Sequence, residues 1–413
     1  MEAWRRTLFA LWVAEFFTML GISMFLPFLP LYLRQLGVTE PGKLEVMSGL
    51  IFAAPFFAAT VATPVWGFLG DRHGRKLMVV RAALGLTLAA TLMGLARTVP
   101  QLFFLRVLQG AISGFIAAAI ALMASSAPRN RMGYALGTLQ TAIPSGTILG
   151  PLLGGVLADR IGARQVFFVT AGLTLVAAVI VMALVREAEG PRSTEGFGRI
   201  FENYRLVFGT PQLRLLYFVL FGCQFALMSL APIMALFVES LGAHGALLAT
   251  TTGAIFAVTG LATVLTAPRW GHRSDRGGYR PTLRMALLGS SVFALPQGLV
   301  AAPWQLFLAR IPYGIFIGGV VPSVHAMISL RAPEDRRAGI LGITSTALML
   351  GNLVGPLLGG IIAGAFGLRS IFFVSAAVFL AILVFLLPRI QEPERLPGAP
   401  LSTGTAGDYM PRR

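Results

Sequence analysis

The sequence predicts an all-α membrane protein of twelve transmembrane helices, arranged as two pseudo-symmetric six-helix bundles. Three observations carry that expectation: an apolar composition, basic residues that alternate by side, and an internal repeat. Of the 413 residues, 56% are hydrophobic and 12% charged, with a mean hydropathy of +0.77. So few polar groups do not cover the surface of a water-soluble fold of this size. The apolar runs continue for about 20 residues, the length of a membrane helix, instead of alternating in segments of about 10 as in a membrane β-barrel.

A net charge of +16 suggests nucleic acid as a partner only until the bases are placed. With each base counted in its nearest loop, 25 of the 33 Lys and Arg fall at the N-terminus, the even-numbered loops and the C-terminus. Six fall in the odd-numbered loops, and two, Arg106 and Arg310, lie inside helices. The positive-inside rule therefore predicts cytoplasmic N- and C-termini, lipid surroundings and no nucleic-acid partner. Cys223 is the single cysteine, which rules out an intrachain disulfide or a Cys-based metal site. The start, Met-Glu-Ala-Trp-Arg-Arg, has the charge of a signal peptide. The apolar run behind it continues to about Leu33 through Pro27 and Pro30 without a small-residue cleavage site, so a retained first helix is expected.

The expected spans are 8–33, 45–69, 77–97, 101–123, 132–157 and 164–185 in the first half. Those of the second are 213–238, 246–270, 282–301, 304–330, 338–363 and 368–388. Residues 1–185 form the N-terminal bundle, 186–212 a polar cytoplasmic linker and 213–388 the C-terminal bundle. The Pro-, Gly- and Thr-rich stretch 389–413 is expected to be a disordered tail.

The halves match position by position at an offset of about 204 residues. Pro64, Trp66, Gly67, Asp71, Arg72 and Gly74 recur as Pro268, Trp270, Gly271, Asp275, Arg276 and Gly278. Gln101, Arg106, Gly110 and Gly114 recur as Gln305, Arg310, Gly314 and Gly318. The run Gly150 to Gly155 returns as Gly355 to Gly360. Because six is even, both copies enter the membrane from the same side, so they are parallel repeats able to rock about a central site.

Three motifs occur in order. Gly67 to Lys76 reads GFLGDRHGRK, Arg106 to Gly110 reads RVLQG, and Gly146 to Gly155 reads GTILGPLLGG. In these the chain resembles the major facilitator superfamily, specifically its twelve-span drug:proton antiporters, over nearly its whole length. The resemblance implies the major facilitator fold and alternating access. It further implies, as a conformational latch, the loop residues Gly67, Asp71, Arg72, Gly74, Arg75 and Lys76 with their second copies Asp275 and Arg276. Gly146, Gly150, Pro151, Gly154 and Gly155 would form a gating motif on the fifth span, at the seam between halves. Gly146, Gly150 and Gly154, four apart, share one helix face that admits a close neighbour.

Arg106 is expected to snorkel to the outer surface or, as the resemblance implies, to adjust the protonation of a neighbouring carboxylate. Glu15 is the one carboxylate plainly inside a span. An acid withdrawn from water can exchange a proton near neutral pH, which makes Glu15 the first candidate for proton coupling, Arg106 being the other; a half-solvated Glu15 toward the cytoplasmic helix end is the alternative. Asp159 and Glu239, at extracellular helix ends, are weaker candidates. His325 is expected to be a packing histidine. Gln140, Gln224, Gln297 and Asn352 either line the cavity or tie helices together.

No GxxxxGKS loop is present, so ATP hydrolysis is not the expected energy source and no cofactor is expected; the resemblance implies a proton gradient instead. No cluster of His, Asp and Ser shares a membrane depth, which argues against an enzyme. The expected function is export of amphipathic drugs or other small molecules in exchange for protons, by a monomer in a bacterial inner membrane. A lipid or glycolipid flippase and a sugar or metabolite exporter are the alternatives that share the fold.

Overall fold

The computed structural model describes residues 2–185 and 198–393. The expected disordered tail beyond 393 and the first part of the linker lie outside the described residues, as do the surroundings of the Gly67 and Asp71 side-chain positions. The first half comprises α1 (Ala3–Gln35), α2 (Lys43–His73), α3 (Arg75–Leu95), α4 (Val99–Ser126), α5 (Met132–Ile161) and α6 (Ala163–Leu184). The second comprises α7 (Pro211–Ser240), α8 (Leu248–Gly277), α9 (Tyr279–Ala294), α10 (Pro303–Arg331), α11 (Arg337–Phe366) and α12 (Ser370–Arg389).

Among the described residues, eleven helices are long and apolar enough to cross a membrane. The exception is α9, expected over 282–301, which has 16 residues of α-helix and then tightens into a 3₁₀ turn, Leu295–Gly298. Pro296 explains the change, since it has no N–H and its ring crowds the preceding turn. The expected linker is helical over Gly198–Gly209. That helix buries Val207 in the core of the second half, and Glu202 meets Arg336 at 3.1 Å, so this segment belongs to the C-terminal bundle.

The repeat holds at the level of single hydrogen bonds. Trp66 Nε1 donates to Ala111 O at 2.6 Å and Trp270 Nε1 to Ile315 O at 2.6 Å, tying α2 to α4 and α8 to α10. Thr170 Oγ1 donates to Gly21 O at 2.8 Å, as Ser375 Oγ does to Ala226 O at 2.9 Å. Tyr32 packs on Phe167 and Phe237 on Phe372, with ring centroids 5.1 and 4.7 Å apart. Trp12 Nε1 donates to Thr141 Oγ1 at 2.9 Å, and Tyr217 Oη lies 3.2 Å from Thr346 Oγ1, so α1–α5 and α7–α11 are pinned at one level. In lipid, where apolar contact alone does not drive helices together, such bonds and close backbone approach hold each bundle.

Close approach is most evident at Gly110, where an added Cβ would strike the carbonyl of Pro55 on α2. Gly110→Ala is expected to cost about 1–3 kcal/mol from overpacking, read as a lowered melting temperature in detergent. Gly172→Ala on α6, where an added Cβ meets open space, is expected to leave the melting temperature unchanged or raise it.

Candidate functional site

The two halves meet along α5–α8 and α2–α11, with the backbone contacts toward one end and a side-chain contact of Ile148 with Gly260 at mid-helix. A Cβ at Gly155 would strike Ala249 O, and one at Gly253 would strike Pro151 O. On the opposite seam, Gly49 abuts Pro356 O and Gly360 abuts Glu45 O in the same way. These positions lie toward the end away from the chain termini. Toward the terminal end, a Cβ at Gly133 or Gly137 on α5, Gly271 on α8 or Gly342 on α11 meets nothing within 4 Å. Among the described residues, the halves are therefore sealed at the far end and parted at these terminal-end positions.

Two polar locks reinforce the seal. Arg34 at the end of α1 forms a double hydrogen bond to Glu239 at the end of α7, both at 2.7 Å. Asp159 on α5 accepts from Ala249 N at 3.1 Å and Thr250 N at 2.7 Å, so one half caps a helix of the other with a carboxylate. The corresponding start of α2 is capped from within its own helix, Gly42 N donating to Glu45 Oε2 at 2.6 Å. Asp159 and Glu239, weighed in sequence as proton carriers, are both occupied as interdomain ligands. The signal in sequence is the repeat itself: Arg34 and Glu239 hold matching places before Gly37 and Gly242, and an axis between the halves brings matching places face to face.

At the terminal end, Gly74 starts α3 with φ +105° and Gly278 starts α9 with φ +96°, conformations that a side chain would strain. Arg75 Nη1 donates to Ala121 O at 3.0 Å and Lys76 Nζ to Met182 O at 2.9 Å. Lys76 thus grips the last turn of α6, where helix carbonyls lack intrahelical donors, and Arg75 grips α4 a little more than a turn from its end, both within their own half. Arg72 is exposed. In the second copy, Asp275 Oδ1 accepts from Tyr279 Oη at 2.9 Å, and Glu392 accepts from Tyr279 N and Arg280 N at 2.6 and 2.8 Å, capping α9.

The glycine stripe of α5 is not at the seam as expected. A Cβ at Gly146 would lie 2.7 Å from Leu20 N and one at Gly150 2.9 Å from Leu20 O, while Gly154 abuts Met24 O, so the stripe seats α1 within its own half. Pro151 and Gly155 point the other way and face α8. The four-residue spacing puts Gly146, Gly150 and Gly154 on one face, and Gly155 is rotated by about 100° from its neighbour, which separates the two duties.

Arg106 is buried, but its partners differ from the expected carboxylate. Its Nε donates to Ile51 O at 3.1 Å, Nη2 to Phe52 O at 3.4 Å and Nη1 to Gln109 Oε1 at 2.6 Å. Pro55, four residues after Ile51, has no N–H for the Ile51 carbonyl, and Arg106 supplies the missing donor. Arg310 is also buried, and its Nη2 lies 3.6 Å from Met234 Sδ. Glu15 is 0% exposed, and neither carboxylate oxygen has a hydrogen-bond partner in the protein. It is buried in the N-terminal bundle, not half-solvated at the helix end. Gln224 Nε2 donates to Asn352 Oδ1 at 2.7 Å across α7 and α11. Gln297 bonds to Phe293 O of its own helix at 2.7 Å, away from this pair, and Gln140 is exposed at the break in α5.

Removing one lock tests the seal. Glu239→Gln or Asp159→Ala should each weaken it by about 1 kcal/mol. Distances between spin labels on the far ends of α5 and α8 are expected to show about a fivefold gain in the population open at that end.

The profile of the Major Facilitator Superfamily matches residues 11–260 and 216–406. The chain is 40% identical over 377 residues to "Multidrug resistance protein MdtG" of Citrobacter koseri, covering 91% of this chain and 93% of the relative. It is 37% identical over 399 residues to the protein of that name in Escherichia fergusonii, covering 95% and 97%. Among solved structures, a bacterial homolog of the human lysosomal transporter Spinster, inward-facing and unoccupied, superposes with a TM-score of 0.76 at 16% identity over 94% of this chain and 97% of that one. The nucleoside transporter NupG superposes at 0.75 with 12% identity over 93% and 98%. With its paired seams, its matched halves and these relatives in agreement, the chain belongs to the Major Facilitator Superfamily.

Proposed function

We propose that this protein is a secondary transporter that exports amphipathic drugs or other small molecules in exchange for protons by alternating access. The observation that carries the reading is the one-ended seal: two matched bundles, joined by glycine seams at the far end and parted at the terminal end, need only rock to expose a central site to the other face. The MdtG relatives, named as multidrug resistance proteins, support drugs as the cargo. The charge asymmetry of the loops supports cytoplasmic termini in a bacterial inner membrane, so the parted end faces the cytoplasm. Each chain holds both halves of the pathway, which supports a monomer.

Glu15 is the proposed proton carrier. Its burial without a partner means that ionisation costs free energy unless the bundle rearranges to admit water or a counter-charge, which links protonation to conformation. Coupling then requires that drug and proton each bind the two states unequally. The loop cations Arg72, Arg75 and Lys76, with Asp71, Asp275 and Arg276, are proposed to hold the cytoplasmic ends together in the opposite state. The cavity wall is proposed to include the Gln224–Asn352 pair. Transport needs no bound cofactor in this scheme, the proton gradient being the energy source.

The test uses purified protein in liposomes with an imposed pH gradient, internal pH being recorded as cationic dyes, neutral antibiotics and a fluorescent lipid are offered in turn. Drug-driven proton release is expected from the native protein, and its loss with drug binding retained is expected for Glu15→Gln. Proton release that persists in the variant would remove Glu15 as the carrier. Lipid crossing between leaflets without any drug response would replace export with lipid flipping.

A further inference from the structure

A groove of about 550 Å³ runs along the terminal end of α1 and α5, apart from the far-end seal. Its two walls carry the same order of chemistry. At the mouth stand Arg5 on α1 and Arg131, immediately before α5, both exposed. Seven residues further along each helix, about 10 Å deeper, the walls are Trp12 and Thr138. Leu8 and Phe9 make the side between, and the groove's inner end is closed by the Trp12 Nε1 bond to Thr141 Oγ1 at 2.9 Å. Trp4 and Tyr134 meet edge to face at 6.5 Å near the mouth, two amphipathic rings at the level where such rings favour the membrane interface.

We propose that this groove binds an anionic phospholipid of the leaflet facing the chain termini, its phosphate between Arg5 and Arg131 and an acyl chain along Leu8, Phe9 and Trp12. Charge complementarity selects the occupant. Two guanidiniums at headgroup depth above an apolar channel suit a phosphate bearing hydrocarbon, whereas a cationic amphiphile would be repelled at the mouth. Arg5 already meets Glu2 at 3.4 Å and Glu2 accepts from Trp4 Nε1 at 2.7 Å. Glu2 therefore positions Arg5 at the rim and tempers its charge, leaving Arg131 as the stronger attractor. A lipid seated here would wedge between α1 and the terminal half of α5, the part of α5 that is free of the other bundle in this state.

The test needs no gradient and does not presuppose transport, a cationic dye being offered only as a competitor, so it stands or falls separately from the export reading. Full-length protein is reconstituted in phosphatidylcholine vesicles containing a photoreactive phosphatidylglycerol, and labelled peptides are mapped by mass spectrometry. Labelling is expected in the peptides carrying Trp4 to Trp12 and Arg131 to Thr138, with competition by unlabelled phosphatidylglycerol. Arg5→Ala/Arg131→Ala is expected to weaken that competition about thirtyfold, given roughly 1 kcal/mol for each basic residue near an anionic lipid. Arg5→Lys/Arg131→Lys should retain most of it, which separates lost charge from lost folding, and Arg97→Ala/Arg160→Ala at the far end should change nothing. Equal labelling by a phosphatidylcholine probe, unchanged labelling in the double alanine variant, or displacement of the lipid by the cationic dye would overturn the proposal.

Discussion

The structure depends on backbone meeting backbone at glycines, Gly49, Gly155, Gly253, Gly360 and Gly364 among them, where the two bundles touch. Lipid gives no hydrophobic gain for joining two apolar bundles, so adhesion comes from dispersion at close range and from the few polar links that cross. Close range requires the absence of side chains, and these glycines supply it at one end only. The terminal halves of the same helices carry glycines, Gly133, Gly137, Gly271 and Gly342, that face open space, so this close backbone contact is not repeated there. A seal that is strong at one end and absent at the other is what allows the molecule to be a gate and not a rigid plug.

Within each bundle, buried polar groups follow a consistent economy. The Ile51 carbonyl that Pro55 would orphan is answered by Arg106 of a neighbouring helix. Threonine and serine hydroxyls turn back onto carbonyls one turn earlier, as Thr18, Ser48 and Thr252 do. Against that background Glu15 stands out, because it is the buried carboxylate among the described residues to which nothing donates. An ionised group so placed is unstable in the conformation seen.

The spans and the repeat were legible because membrane helices are written in composition, and composition survives without knowledge of neighbours. The ninth span was the weakest of the twelve on both counts, since Pro296 shortens the helix and polar residues open it. The site was legible only in part. Glycine spacing on α5 announced a close helix contact but not which helix, and the answer divided between α1 for Gly146, Gly150 and Gly154 and α8 for Gly155. Arg106 was visible as a buried cation, while its dependence on Pro55 was not, because that relation lies across 51 residues of sequence. The amphipathic helix Gly198–Gly209 was hidden by its polarity, which reads as a linker until Val207 is seen to pack on the second bundle.

Arg34 and Glu239 occupy equivalent positions in the two repeats, and the pseudo-axis sets them opposite each other. Two identical halves would have placed arginine against arginine there, or glutamate against glutamate, and repulsion would have loosened the end that is now tightest. This ion pair is therefore unavailable to a symmetric dimer of either half. It requires two copies in one chain that have diverged in charge, so the lock records how duplication, fusion and loss of symmetry together turned a pair of bundles into a machine with a preferred resting state.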